Sequence, residues 1–316
     1  MEDTFVDWLL ARLPTDGRLE VPPGDDAAVL RPPAMRRTVV TTDMLAEGID
    51  FLLGDGPGRC RPRDVGRKAM AVNLSDLAAM AARPEAAVVA VTLPRDDGET
   101  IGRELLEGLL EVATAFDVTL AGGDTNAWEG GLVVSVTAIG SVPPGRAWRR
   151  DGARPGDVIV VTGRFGGSLL GRHLSPRPRC REAMAIAERF PVHAAIDVSD
   201  GLSLDLARLA RASGVAAWIA PEEVPIHDDA FLAAAAEPGG RTPLERALGD
   251  GEDFELVLAM PAEAAEELLA AAPDGVELSK IGGIVGGEGL KQRRPDGSLA
   301  SLPATGFLHR FDGEAG

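Results

Sequence analysis

The sequence contains no Tyr, only two cysteines and few aromatic residues of any kind. Aromatic residues make up 4 % of the 316 residues, so aliphatic side chains must fill most of the core, and a hydrophobic content of 45 % is enough to build one. Cys60 and Cys180 stand far apart without a CxxC spacing, which excludes a disulfide framework and the usual structural zinc site. Two isolated thiols are typical of a reducing cytoplasm.

Positive charge is also scarce: 32 basic residues face 49 acidic ones, for a formal net charge of −17. Binding to nucleic acid of any sequence, or to an anionic membrane surface, depends on basic residues. We therefore expect no nucleic-acid partner and no membrane partner. The acidic start of the chain lacks the basic residues of a signal peptide, and no apolar run is long enough to span a bilayer, so we expect a soluble cytoplasmic protein.

Several familiar catalytic motifs are missing as well. The sequence has no GxxxxGK[ST] loop, no GxGxxG, no HExxH and no GxSxG, and its four histidines are scattered. It therefore gives no support to a P-loop, a Rossmann dinucleotide site or a zinc protease. A Ser-His-Asp site stays open, because its residues need not be neighbours in sequence.

Hydrophobic periodicity divides the chain into two sets of elements, separated at the break Val142-Pro143-Pro144-Gly145. We predict domains at 1–145 and 146–316. In the first, strands are predicted at 38–42, 86–93, 118–121 and 132–139 and helices at 5–13, 64–82 and 99–115, with Asp64 as an N-cap and Gly122-Gly123 opening a loop. In the second, strands are predicted at 157–161, 193–198, 215–219 and 254–259 and helices at 167–174, 182–189, 202–213, 242–248 and 262–271. The order of elements in the first half predicts an α+β domain with helices on one face of a sheet.

Aspartates recur beside small residues at the predicted strand–loop junctions, in the stretches 24–28, 41–43, 73–76, 122–125 and 197–201. An Asp next to Gly commonly forms a turn, and an Asp before a helix commonly caps it, so each stretch alone has a structural explanation. Asp76 is different, because it lies inside a predicted helix on the same face as Asn73. Burying it there without a partner would be costly.

The combined set has a chemical explanation. Mg²⁺ prefers oxygen ligands and can bridge carboxylates to the phosphates of a nucleotide. Phosphoryl transfer then needs mainly positioning and neutralisation of charge. Thr41 and Thr42 add further oxygens beside Asp43. The residues themselves therefore predict metal-dependent phosphate chemistry.

In these loops the sequence resembles the thiamine-monophosphate kinases, a family of the aminoimidazole-ribonucleotide-synthetase-like superfamily. The resemblance runs from residue 24 to about residue 309. The matching stretches are GDDAAVL at 24–30, TTD at 41–43 with EG at 47–48, KAMAVNLSDLAAM at 68–80, GGDT at 122–125, VPPGRA at 142–147, RDGA at 150–153, AIDVSDGL at 195–202, GEDFEL at 251–256 and GFLH at 306–309.

The resemblance implies a two-domain PurM-like fold, in which an N-terminal sheet-plus-helices domain dimerises through its sheet and is followed by a larger C-terminal α/β domain. It implies a homodimeric, ATP-dependent enzyme that converts thiamine monophosphate to thiamine diphosphate with several Mg²⁺ ions. The implied metal ligands are Asp26, Thr41, Thr42, Asp43, Asp76, Asp124, Asp197 and Asp200. The implied ATP contacts are Gly123, Arg150 and Ser199, the substrate contacts Asp50, Glu252 and Phe307, and the catalytic residues Asp43, Asp124, Arg150 and Asp200.

Three departures from the family pattern fall on the substrate side: Asp50 stands where the family has His, Asp250 where it has Gly, and Gly167 where it has Asp. Phe307 could equally be a tail residue that covers the core. Another phosphate-transferring enzyme of the superfamily remains an alternative, as does a catalytically silent nucleotide-binding dimer, although clustered carboxylates without a purpose would repel one another. Neither Cys has an activating neighbour and no His lies in the acidic motifs, so we expect direct in-line transfer without an enzyme nucleophile.

Overall fold

The computed structural model describes residues 12–13, 17–21, 29–31, 33–273 and 275–308. The chain forms two compact units, the first made of Met1–Ala147 with Leu174–Met184 and the second of Trp148–His173 with Ala185–Gly316. Most of the predicted helix 5–13, as well as Asp26, lies outside the described residues. Within the described part, no helix combines the length and the apolarity that crossing a membrane requires.

The first unit is built on a four-stranded sheet. Its strands are β3 (Arg37–Ala46), β4 (Arg83–Pro94), β5 (Thr119–Trp128) and β6 (Val133–Val142), and a separate antiparallel pair is formed by β1 (Leu19–Val21) and β2 (Val29–Leu30). The order is β3-β6-β4-β5, so β3 and β5 are the two edges. β6 pairs antiparallel with both neighbours, whereas β4 and β5 run parallel.

Two helices, α1 (Pro62–Ala79) and α2 (Gly98–Ala115), pack against this sheet and against each other. Their backbones touch where Gly66 and Gly108 lie, because a Cβ on either glycine would overlap the backbone of the other helix. The strands predicted in this domain and the helices predicted at 64–82 and 99–115 are confirmed. The predicted N-cap is wrong: Asp64 is the third residue of α1, and its carboxylate accepts a hydrogen bond from the amide of Arg61, the capping residue (3.2 Å).

The prediction that Gly122-Gly123 opens a loop is also wrong, because β5 continues through both glycines to Trp128. The register between β4 and β5 shifts at Ala87 and Val88, and Gly122 takes a φ of +144° there. A bulge at a glycine lets a strand continue past a position that otherwise resembles a turn. Trp128 ends the strand half-exposed, and its Nε1 donates to the carbonyl of Gly131 (2.8 Å).

The second unit is built on a seven-stranded sheet. Its strands are β7 (Val158–Thr162), β8 (Ala194–Asp197), β9 (Ala216–Ile219), β10 (Leu256–Met260), β11 (Leu278–Val285), β12 (Gly289–Arg293) and β13 (Leu299–Ser301). The order is β13-β12-β9-β11-β7-β10-β8, and only β12 and β9 pair in parallel. The last three strands were not expected from the sequence.

The remaining helices are α3 (Cys180–Arg189), α4 (Leu202–Ser213), α5 (Asp228–Ala236), α6 (Pro243–Gly249) and α7 (Ala262–Ala270). Aliphatic side chains of α4 and of strands β7, β8 and β10 form one buried core. The predicted helix 167–174 is wrong: two short 3₁₀ turns, Ser168–Leu170 and Arg172–Leu174, replace it. Gly167 and Gly171 both take positive φ, which stops a regular helix at either end of the first turn.

Candidate functional site

The acidic residues of the first unit meet where β3 lies next to α1. Thr41 donates a short hydrogen bond from its hydroxyl to the carboxylate of Asp76. The backbone amide of Asp43 donates to Oδ1 of Asn73 (3.1 Å), and Nδ2 of Asn73 donates to the carbonyl of Ala69 (2.9 Å). Asn73 is fully buried, so both ends of its amide are fixed by partners. Asn73 and Asp76 stand three residues apart on the helix and therefore face the same strand.

Thr42 does not join this cluster. Its hydroxyl donates to the carbonyl of Val136 (3.1 Å) and accepts from the hydroxyl of Thr137 (3.0 Å), both on the neighbouring strand β6. Successive side chains of a strand point to opposite faces, so Thr41 and Thr42 cannot both face α1. The structure thus places Thr41, and not Thr42, beside Asp76.

Gly123 and Asp124 lie on the other edge of the sheet. Gly123 is in the same cross-strand row as Asp43, through Val136 and Val89, and Asp124 lies one row further along. Three strand spacings separate the edges, which is about 14 Å. Ligands of one Mg²⁺ lie about 2 Å from the ion, so Asp43 and Asp124 of one sheet cannot bind the same ion.

Asp50 closes the turn that follows β3. Its Oδ2 accepts from the amide of Ala46 (2.7 Å), and its carbonyl accepts from the Nζ of Lys68 (3.0 Å), a lysine that is fully buried in α1. The geometry gives Asp50 a structural task in its own turn. Its predicted contact with substrate stays a prediction.

In the second unit, β8 ends at Asp197, and the loop between β8 and α4 carries Ser199 and Asp200. Asp197 is the buried last residue of β8. The carboxylate of Asp200 forms a close ion pair with Arg208, and its amide donates to Oδ2 of Asp205 (2.9 Å). Asp205 also accepts from Arg208 (2.7 Å), and burial raises the pKa of its carboxyl group. Asp205 and Arg208 therefore hold Asp200 from two sides.

Both predicted substrate residues of this unit attach to the same loop through their backbone amides. The amide of Glu252 donates to the carbonyl of Ser199 (2.6 Å), and the amide of Phe307 donates to the carbonyl of Asp200 (2.9 Å). Phe307 is half-exposed, and its contact with substrate stays a prediction. Four predicted residues, Ser199, Asp200, Glu252 and Phe307, are thus brought together. Arg150 is exposed, and its carbonyl accepts from the hydroxyl of Ser213 (2.8 Å).

The oxygen donors of these clusters suit Mg²⁺, but among the described residues no three carboxylate, His or Cys side chains converge on a single metal position. Mg²⁺ in nucleotide enzymes usually takes one or two carboxylates and completes its shell with phosphate oxygens and water. Thr41, Asp43 and Asp76 supply only two carboxylates and one hydroxyl. This number suits an ion that also binds nucleotide phosphates better than an ion held by protein alone.

Four residues of the site, Asn73, Asp205, Arg208 and Asp253, were not predicted. Asn73 had a usable signal, because it stands at helical spacing from Asp76. Arg208 carried no sequence signal. Asp253 follows Glu252 directly, yet its task depends on residues about 90 positions away, which only the fold reveals: both of its carboxylate oxygens accept from the amide of Gly166 (3.0 and 3.2 Å).

Comparison with known proteins agrees with this arrangement. The family profiles described as AIR synthase related protein, N-terminal domain and C-terminal domain match residues 24–142 and 154–293. A thiamine-monophosphate kinase of Rhodopirellula baltica is 41 % identical, over 98 % of this chain and 97 % of that protein. The crystal structure of thiamine-monophosphate kinase from Stenotrophomonas maltophilia K279a is 35 % identical with a TM-score of 0.77, over 94 % of this chain and 96 % of that one. The solved structure of AaThiL complexed with AMPPCP and TMP is 27 % identical with a TM-score of 0.75, over 98 % of this chain and 96 % of that one.

Proposed function

The chain belongs to the thiamine-monophosphate kinase family, and we propose that it transfers the terminal phosphate of ATP to thiamine monophosphate, giving ADP and thiamine diphosphate. The observation that carries the proposal is the convergence of Ser199, Asp200, Glu252 and Phe307 on one loop of the second unit. Glu252 and Phe307 stand at positions that match the family pattern, which favours the kinase over a different enzyme of the superfamily.

In this proposal, residues 1–145 form the ATP-binding, metal-binding and dimerising domain, and residues 146–316 form the second domain. Bound Mg²⁺ would neutralise negative charge on the phosphates during transfer. The residues that would hold the ions are Asp26, Thr41, Asp43, Asp76, Asp124, Asp197 and Asp200. Thr42 would contribute only a backbone oxygen, because its hydroxyl is bonded on β6. Within one protomer, Asp43 and Asp124 stand on opposite edges of the sheet, so in this proposal the two would hold different ions.

The other residues act on the two substrates. Ser199, Gly123 and the exposed guanidinium of Arg150 contact ATP, and Arg150 stabilises charge on the transferred phosphoryl group. Glu252 and Phe307, with Asp50, contact thiamine monophosphate. Its phosphate oxygen attacks the γ-phosphorus of ATP directly, since the acceptor already carries a nucleophile and both cysteines are free and buried.

We also propose a cytoplasmic homodimer that forms through the face of the four-stranded sheet opposite α1 and α2. Side chains of β1 and β2 pack against part of this face, and β3 stays exposed on it. On β3, Val40 and Met44 are 62 % and 64 % exposed, while the alternate residue Leu45 is buried. An apolar sheet face left open to water is typical of an interaction surface.

The test is incubation of the purified protein with ATP, Mg²⁺ and thiamine monophosphate, followed by identification of the products. Thiamine diphosphate and ADP in equal amounts support the proposal. ATP turnover without thiamine diphosphate would favour another enzyme of the superfamily. Tight binding of ATP with no turnover would favour the silent nucleotide-binding protein. Calorimetric titration with ATP in EDTA tests the metal: tight binding there would exclude a site built from carboxylates and Mg²⁺.

A further inference from the structure

Two buried carboxylates join separate parts of the second unit. The turn 166–168 follows β7, and the loop 250–254 precedes β10. The carboxylate of Asp253 accepts from the amide of Gly166 (3.0 and 3.2 Å), and Oδ2 of Asp250 accepts from the amide of Gly167 (2.8 Å). Consecutive amides in glycine-rich turns commonly bind anions. Here the chain's own carboxylates occupy them, so this turn is a structural joint and not a phosphate site.

Two further contacts strengthen the joint. The hydroxyl of Ser168 donates to the carbonyl of Gly251 (2.6 Å). Arg172 donates through Nη2 both to Oδ1 of Asp253 (3.0 Å) and to the carbonyl of Gly166 (2.9 Å). The side chain of Asp253 has no exposed surface at all. The carboxylate, the turn and the guanidinium therefore form one network.

The opposite side of the loop 250–254 carries the proposed substrate site. Glu252 and Phe254 are in the left-handed region, with φ of +54° and +52°. Residues other than Gly adopt this conformation only where their surroundings impose it. The amide of Glu252 donates to Ser199 (2.6 Å) and the amide of Phe254 to Val198 (2.8 Å). The loop 250–254 is thus anchored on one side by the joint and bonded on the other to the segment that follows β8.

We infer that Asp253 is a positioning residue for substrate binding: its buried carboxylate, held between Gly166 and Arg172, keeps Glu252 in its left-handed conformation beside Ser199. The inference rests on the proposed function for what Glu252 and Ser199 bind. The restraint on the loop itself can be measured without any ligand.

The test compares Asp253→Asn with Asp157→Asn. Asp157 is a matched control, because it is also buried, accepts from the backbone amide of Arg154 (2.8 Å) and contacts the basic ring of His193 (2.9 Å). It differs in position: Asp157 precedes β7, whereas the turn 166–168 follows β7. Asn at position 253 has one acceptor oxygen in place of the two that bond Gly166, and it has no charge to pair with Arg172. We therefore expect Asp253→Asn to speed amide exchange over 250–254 at least about tenfold and to weaken thiamine monophosphate binding by about 10- to 100-fold, the cost of a displaced contact. Binding is measured by calorimetry well below the unfolding temperature.

The control should lose stability without losing affinity. Equal loss of affinity in both variants would mean that the effect comes from general destabilisation, and it would overturn the inference. Unchanged amide exchange and unchanged affinity in Asp253→Asn would also overturn it. If Asp253→Asn does not fold, Ser168→Ala removes only the contact to Gly251, and it should speed exchange over the same segment; unchanged exchange overturns the inference. If the wild-type protein makes no thiamine diphosphate, the proposed function fails, while exchange in the ligand-free protein still decides whether Asp253 restrains the loop.

Discussion

The carboxylate of Asp250 accepts a hydrogen bond from the amide of Gly167, with 2.8 Å between Oδ2 and N. Both positions depart from the family pattern, which has Gly at the first and Asp at the second. Gly167 has a φ of +71°, and a Cβ there would overlap the backbone of Asp229, so this turn leaves no room for an Asp. The two departures look independent in the sequence, but the two residues contact each other. The carboxylate that the family has at position 167 is here supplied by Asp250, from the loop before β10.

This contact predicts different results for two substitutions of Asp250. Asp250→Asn keeps an oxygen that can accept from Gly167, whereas Asp250→Ala leaves a buried amide without a partner, which costs about 1–3 kcal/mol. We expect the alanine variant to be less stable than the asparagine variant by that amount in urea unfolding. Equal stability of the two variants would show that the hydrogen bond to Gly167 contributes nothing.

Asp76 should be needed for catalysis but not for folding. Asn at this position can still accept from the hydroxyl of Thr41, so the melting temperature without metal should stay close to that of the wild type or rise as charge repulsion is relieved. Turnover should fall by about 100-fold or more, the scale of losing a group that stabilises transition-state charge. Asp96→Asn, an exposed carboxylate of the same unit, is the control. Near-normal turnover in Asp76→Asn would remove this residue from the site.

Direct transfer predicts a single displacement at phosphorus. With ATP that is chiral at a thio-substituted γ-phosphorus, one in-line attack inverts the configuration, whereas a phosphorylated enzyme intermediate would retain it. Stereochemical analysis of the thiamine diphosphate product distinguishes the two. Retention, or a trapped phosphorylated side chain, would contradict direct transfer even if the kinase activity were established.

The buried carboxyl of Asp253 predicts a specific dependence of stability on pH. Burial raises its pKa from 3.8 to about 7, so between these values the folded protein holds more protons than the unfolded chain. The contribution of this group to the free energy of unfolding is therefore fully present below about pH 4, and it is lost as the pH rises to about 7. Asp253→Asn should remove that part of the slope. The check is the free energy of unfolding of both proteins at pH 5 and pH 8: the advantage of the wild type should be larger at pH 5.

The proposed dimer predicts that a charge on the open sheet face separates the protomers. Met44→Asp should give a monomer in sedimentation analysis, because an uncompensated carboxylate at an apolar interface is costly. Leu232→Asp, at a similarly exposed apolar position of the second unit, should leave the assembly unchanged. A dimeric Met44→Asp protein would place the interface elsewhere.

The sequence was informative where its signals are local. The position of Asp76 on a helix, three residues after Asn73, follows from periodicity, and the structure confirms it. The family pattern likewise selected Ser199, Asp200, Glu252 and Phe307, which the fold joins. Local reasoning failed at glycines: a pair inside β5 resembles a turn, and only pairing with β4 shows that the strand continues.

What the sequence could not give are the pairings between distant segments. Nothing near Asp253 in sequence indicates that its partner is the turn after β7. The sequence does not show which residues lie side by side in the sheet either. The separation of Asp43 from Asp124 depends on the strand order β3-β6-β4-β5. These features arise from topology, and they decide which predicted ligands can act together.

The exposed indole at the end of β5 has an optical consequence. Without any Tyr in the chain, near-ultraviolet emission comes from four tryptophans. Trp128 stands four residues after Asp124 on the same strand, about 13 Å along it, and its ring is held by the bond to Gly131. A protein that keeps Trp128 and has Phe at the other three positions would carry a single native fluorophore at this edge of the sheet. Its emission would follow events at Asp124 without an attached dye.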